Sequence, residues 1–128
     1  MSIQVHSYRD LVVWQKSMDL VVLIYQCTET FPKSEIYGLV SQMRRSAVSI
    51  PSNIAEGRRR STANGYRQFL HISYASGAEL ETQVEISERL HFGSKEHLQR
   101  VSQLLHEVMR MLNAMISNLG SSSKKLTS

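Results

Sequence analysis

The sequence predicts an all-α protein, an antiparallel up-down-up-down four-helix bundle. Apolar residues recur at steps of three and four along most of the chain, which is the spacing of one helix face. Short joints with turn and capping residues separate these stretches, as is typical of antiparallel bundles. The chain has 128 residues, 41% of them hydrophobic, with only two prolines and six glycines, which suits one domain with a helical core.

The first predicted helix covers residues 11–30. Phe31-Pro32 ends it, because proline disfavours helical backbone in the residue before it. A second set of apolar positions widens its inner face, so we expect this helix to be buried on more than one side. The main stripe is Leu11, Trp14, Met18, Val21 and Tyr25, and the second set is Val13, Leu20, Ile24 and Cys27.

The second predicted helix, over residues 35–60, contains a proline in the middle of its apolar stripe. Pro51 has no N–H to donate to the carbonyl of Ala47, so we expect this helix to be kinked near Pro51. Ser52 and Asn53 are expected to bond the freed backbone groups. The stripe consists of Ile36, Val40, Met43, Ala47, Ile50 and Ile54.

Two further helices complete the bundle, over residues 62–91 and 95–119. Ser61-Thr62 and Ser94 are suitable N-caps for them. We assign residues 1–119 to one four-helix bundle, and residues 120–128, which lack periodicity, to a mobile tail. The last helix carries the clean heptad Leu98, Val101, Leu105, Val108, Leu112, Met115 and Leu119.

Several apolar residues fall outside the inner faces of the predicted helices. A monomer would expose them to water, so the pattern predicts self-association. They are Val12, Val22, Ile72, Tyr74 and Ile86.

Positive charge is concentrated in one stretch. Residues 41–70 contain six arginines and one glutamate, a net of +5, whereas the rest has nine basic and ten acidic residues, a net of −1, which together give +4. Such a local excess indicates an anionic partner, and nucleic acid is the commonest large one. Little base specificity is expected, because no motif that reads base edges is present. The candidate nucleic-acid-binding residues are Arg44, Arg58, Arg59, Arg60 and Arg67.

Arg45 has two open interpretations. It shares a helical stripe with Ser49, Ser52 and Glu56, since eleven residues make about three turns. It therefore belongs either to a structural polar network with Glu56 or to the binding surface.

Catalytic and metal sites have weaker support. Arg100 and His106 have the spacing of the Arg-His motif of HEPN ribonucleases, but Val101 replaces the polar residue that usually follows the arginine. Glu88 and His91 form a single Glu-x-x-His pair, whereas a di-iron bundle needs two. No glycine-rich phosphate loop is present. We therefore expect no catalytic residue, no metal and no cofactor.

The sequence predicts a cytoplasmic protein without a membrane anchor. No secretory signal is visible, and the longest apolar run, Leu20 to Tyr25, is far too short to cross a bilayer. The single cysteine, Cys27, excludes an internal disulfide and is expected to be a buried structural thiol.

Four motifs occur in order between residues 8 and 92: Tyr8-Arg-Asp-Leu-Val-Val-Trp-Gln-Lys16, Phe31-Pro32, the segment from Tyr37 to Gly57, and Glu79-Leu-Glu-Thr-Gln83. Together they resemble the bacterial four-helix-bundle proteins encoded in intervening sequences of 23S rRNA genes. A more distant resemblance is to the accessory variability protein of diversity-generating retroelements, which works with a reverse transcriptase and nucleic acid. The resemblance implies a homopentamer and no established catalytic residue.

These observations lead to one function hypothesis and two alternatives. The first is a non-enzymatic oligomeric bundle that binds nucleic acid, with RNA as the expected partner, through its arginine surface. The second is an oligomeric scaffold whose arginines contact unidentified protein partners or neighbouring subunits. The third is a ribonuclease that uses Arg100 and His106.

Overall fold

The computed structural model describes residues 7–127, and the side chains of residues 7–120. Its four helices are α1 (Val12–Thr28), α2 (Leu39–Arg58), α3 (Ala63–Arg89) and α4 (Lys95–Thr127). Each helix packs on the next, and α1 also packs on α4, which closes an antiparallel bundle. No strand occurs among the described residues. The predicted all-α up-down-up-down architecture is therefore confirmed.

The second helix begins later than the sequence suggested. Lys33–Glu35 form a separate 3-10 turn, and α2 starts at Leu39. Gly38 separates the two with backbone angles φ −114° and ψ −110°, outside the helical range. The Glu35 carboxylate accepts a hydrogen bond from the backbone N–H of Leu39 at 3.2 Å, which satisfies a donor at the start of α2.

The last helix ends later than predicted. α4 continues to Thr127 rather than ending at residue 119, so helical backbone extends through the segment predicted as a tail. Glycine and serine cost at most about 1 kcal/mol each in a helix. An existing helix accepts them because each added residue gains a hydrogen bond without a new nucleation step. Residues 1–6 and 128 lie outside the described residues, and the mobility of the tail stays a prediction.

The core lies along one side of each helix. In α1 the buried apolar side chains are Val13, Leu20, Leu23, Ile24 and Cys27. Met18, which we expected in the main stripe, is 40% exposed. The expected main stripe of α1 is thus wrong in part, because its apolar residues cover two adjoining faces and only one of them points inward. Burial of Cys27 is confirmed, and desolvation raises the pKa of its thiol.

Pro51 lies in the middle of α2 without interrupting it. Pro51 cannot donate a hydrogen bond to the carbonyl of Ala47, but the next two carbonyls along the helix accept from side chains. Ser52 Oγ donates to Val48 O at 2.7 Å, and Asn53 Nδ2 donates to Ser49 O at 2.8 Å. From α3, Ser73 Oγ donates to the carbonyl of Ile50 at 2.9 Å. These three polar side chains therefore bond backbone carbonyls of α2. The kink expected near Pro51 stays a prediction.

Gly57 allows α2 to pack closely on α3. A Cβ atom at this position would lie 2.7 Å from Cβ of Phe69 and 3.2 Å from the carbonyl oxygen of Tyr66. Both of those atoms are fixed to the backbone, so neither moves aside easily. Gly57 therefore brings the arginine-rich end of α2 close to the start of α3.

Among the described residues, the structure contains no helix that combines the length and the apolar character needed to span a membrane.

Candidate nucleic-acid interface

Four arginines gather at the end of the bundle where α2 ends and α3 begins. Arg58 is the last residue of α2, and Arg59 and Arg60 continue into the turn. The first 3-10 turn, Tyr8–Asp10, packs on α2 and brings Arg9 to the same end. We call the group Arg9, Arg58, Arg59 and Arg60 the arginine end.

Tyr8 is the centre of the arginine end. The guanidinium carbon of Arg9 lies 4.9 Å from the centroid of its ring, and that of Arg59 lies 5.5 Å from it. The ring packs edge-on against Trp14 with centroids 5.3 Å apart, which fixes it to α1. Cation–π attraction thus holds two like charges beside one aromatic ring.

A surface pocket of about 200 Å³ opens between these side chains. It is lined by Ser7, Tyr8, Arg9, Arg58 and Arg59, and no carboxylate is among these residues. Converging guanidinium groups repel one another, and an anion in the pocket would relieve that repulsion. The pocket therefore has the size and the charge to receive a phosphate group.

Arg58 and Arg60 have further partners. Arg58 is half-buried beside Tyr66, where burial raises the pKa of the phenol and the positive charge of Arg58 partly offsets that rise. Arg60 pairs with Glu56 at 2.6 Å and lies 4.5 Å above the ring of Phe69. Because the Arg60–Glu56 pair is exposed, it contributes little to stability and does not prevent a phosphate contact.

Arg44 lies far from the arginine end. Its Nε donates to Thr28 Oγ1 at 3.0 Å, and its guanidinium carbon lies 4.5 Å above the ring of Tyr25. These contacts hold it at the C-terminal end of α1, where a cation is favoured by the helix dipole. Fourteen residues of helix separate Arg44 from Arg58, a distance of about 21 Å. Arg44 therefore has a structural role that connects α1 and α2.

Arg67 also has a structural partner. Its Nε donates to the carbonyl of Ile116 at 3.0 Å, which links α3 to α4. Gly120 leaves room for this guanidinium, since a Cβ there would lie 3.1 Å from Nη2 of Arg67. Of the five predicted binding residues, the structure therefore brings together Arg58, Arg59 and Arg60 and places Arg44 and Arg67 in contacts between helices.

Arg45 and Glu56 do not form the structural polar network that was one of the two interpretations of Arg45. Glu56 pairs with Arg60, one turn away, rather than with Arg45. Arg45 is exposed and makes no hydrogen bond or ion pair within the part of the chain that the structure describes. Sequence reasoning missed Arg9, because 49 positions separate it from Arg58 and no local pattern connects the two.

Arg100 and His106, the residues of the ribonuclease alternative, do not line a common groove among those described. His106 lines a groove between α3 and α4 with Glu81, Glu85 and Glu88, and Arg100 is not among its lining residues. No group of three histidine, cysteine, aspartate or glutamate side chains in the described region is placed to hold a metal ion. The groove is acidic, so it repels nucleic acid and contrasts with the arginine end.

Comparison with known proteins agrees with this architecture. A crystal structure of a protein of unknown function from the S23 ribosomal protein family of Bacteroides thetaiotaomicron is similar, with 23% identity and a TM-score of 0.74. The match covers 82% of this chain and 98% of that one. No curated protein matches. The family whose sequence pattern matches residues 9–114 is described as 23S rRNA-intervening sequence protein. The chain therefore belongs to the 23S rRNA-intervening sequence protein family.

Proposed function

We propose that this protein binds RNA through the arginine end. The observation that carries the proposal is that Arg9, Arg58 and Arg59 line one pocket with Tyr8, and that no carboxylate is among the described residues of its lining. Residues 7–10 and 56–67 together contain five arginines, one aspartate and one glutamate, a net of +3. Guanidinium groups match phosphate geometry and donate paired hydrogen bonds to its oxygens.

The start of α3 adds to this positive field. Thr62 caps the helix by accepting from the N–H of Gly65 at 3.0 Å, and the first turn of α3 contains no acidic residue. The partial positive charge of the helix N-terminus is therefore not neutralised by its own side chains. Phosphate contacts of this kind position a strand without reading its bases, so binding with low sequence specificity is expected.

A salt titration tests this proposal. If four arginines of a subunit contact phosphates of duplex RNA, log affinity should fall against log salt with a slope of about −4, because each contact releases condensed counterions. Fluorescence anisotropy of a labelled RNA hairpin at increasing salt measures this slope. If the protein binds no RNA even at low salt, the arginines serve protein contacts and the scaffold alternative replaces this proposal.

We also propose that the bundle acts as a homo-oligomer of five subunits. The side chains that the sequence placed outside the inner faces are exposed on the single chain, with Val12 and Val22 the most open at 52% and 54%. Apolar residues exposed in such numbers favour association. A closed assembly would repeat the arginine end in every subunit, and avidity would increase if one RNA reached several of them.

The number of subunits is measured directly by light scattering after size exclusion. The expected mass is about five times the 14.6 kDa of the chain. A monomer at micromolar concentration would contradict this part of the proposal while leaving RNA binding by the single bundle open to the salt titration.

A further inference from the structure

Tyr37 is the most exposed large hydrophobic side chain of the described region. Its accessible fraction is 97%, and Ile36 beside it is 49% exposed. Both residues lie between the second 3-10 turn and the start of α2. At this exposure the ring is almost uncovered by the described part of the chain, so it is available to stack on a ligand.

Tyr37 lines a surface pocket that also contains two arginines. The pocket is also lined by Tyr25, Ile36, Arg44, Arg45 and Val48, and no carboxylate is among its described lining residues. Arg44 lies on the ring of Tyr25, whereas Arg45 makes no hydrogen bond or ion pair within residues 7–120. An aromatic ring, apolar walls and an unpartnered guanidinium together complement a nucleotide, which has a flat base and a phosphate.

We propose that this pocket receives an unpaired base of single-stranded RNA, with Tyr37 stacking on the base and Arg45 contacting an adjacent phosphate. This inference rests on the proposed function and specifies its ligand as a strand with unpaired nucleotides. Base stacking on aromatic side chains tolerates any sequence, because every base has a π-face. A basic protein segment is the less suitable occupant, since two arginines and no acidic residue are among the described residues that line the pocket.

The position of the pocket on α2 supports one continuous strand. Arg45 and Arg59 are 14 residues apart, which corresponds to about 21 Å along the helix and a rotation of only about 40°. They therefore face the same side of the bundle. A stacked strand advances about 3.4 Å per nucleotide, so about six nucleotides would reach from the Tyr37 pocket to the arginine end.

Binding of two RNA probes to tyrosine variants tests the inference. The probes are a single strand of about ten nucleotides and a blunt duplex of the same sequence, and the assay is fluorescence anisotropy. Tyr37→Ala should weaken single-strand binding about tenfold and leave duplex binding unchanged, because only the unpaired bases stack. Tyr37→Phe, which keeps the ring, should bind as the parent does.

Three outcomes overturn the inference. If Tyr37→Ala keeps the parent affinity for the single strand, no base stacks there although the arginine end binds RNA. If Tyr37→Ala lowers the assembly mass in light scattering, the pocket is a contact with a second copy of the chain. If the parent binds neither probe, the proposed function fails and the inference fails with it.

Discussion

Replacing Arg58, Arg59 and Arg60 by alanine is expected to weaken RNA binding about a hundredfold. Each lost guanidinium–phosphate contact should cost about 1 kcal/mol net, and three such losses correspond to about two decades of affinity. None of the three side chains belongs to the buried core, so the helix content and the subunit number should not change. Anisotropy of a labelled RNA hairpin measures the loss, and circular dichroism checks the fold.

A second triple variant controls for total charge. Arg89, Arg100 and Arg110 are exposed on α3 and α4, away from the arginine end. Replacing these three by alanine removes the same charge from the molecule, yet it should change affinity by only about twofold, because long-range attraction is screened at physiological salt. Equal losses in the two variants would mean that net charge, rather than the arginine end, determines binding.

Ile50→Ala is expected to lower the free energy of unfolding by about 2–5 kcal/mol, because it leaves a cavity in the core. Ile50 is fully buried, and its backbone carbonyl accepts the hydrogen bond of Ser73 from α3. With an unfolding entropy of about 2.1 cal/mol/K per residue, the melting temperature should fall by about 7–19 °C. Thermal unfolding at a fixed protein concentration measures this shift, since association makes the melting temperature concentration-dependent.

Val48→Ala is the matched control in the same helix. Val48 lies two positions before Ile50 but is 41% exposed, so its truncation should change stability by no more than about 0.5 kcal/mol in a single bundle. A loss at Val48 as large as the loss at Ile50 would show that this face of α2 is buried in the assembly. A small effect at Ile50 would contradict the packing of α2 on α3 described above.

The fold was largely predictable because helical periodicity is a local property. The heptad of α4 illustrates this: Leu98, Val101, Leu105 and Leu112 are all buried in the structure. Thr62 caps α3 with its side chain, as the Ser61-Thr62 pair suggested. Such signals lie within one or two turns of the chain, so they can be read without knowing what packs against them.

The inward face of α1 was harder to predict. Its apolar residues form two adjoining stripes, and periodicity does not say which of them meets the neighbouring helices. The structure buries Leu20 and Ile24 and leaves Met18 and Tyr25 on the flank. That choice depends on where α2 and α4 lie, which is long-range information. Helix ends were also missed where the decisive feature was backbone geometry, as at Gly38.

The arginine end was only half predictable. The run Arg58-Arg59-Arg60 is a local charge signal, whereas Arg9 joins it through a fold that brings distant segments together. Arg44 and Arg67 look equivalent to the others in sequence, but each one donates to a group on another helix. Charge can thus be counted from a sequence, while the partner of each charge depends on the packing of the helices.

Contact between the arginine end and RNA phosphates is tested by measuring how RNA affinity depends on salt, for the parent and for the triple alanine variant of Arg58, Arg59 and Arg60. With duplex RNA, the slope of log affinity against log salt should change from about −4 to about −1, since each lost phosphate contact reduces its magnitude by about one. If both proteins give the same slope, these arginines do not contact the phosphates and the claim is contradicted.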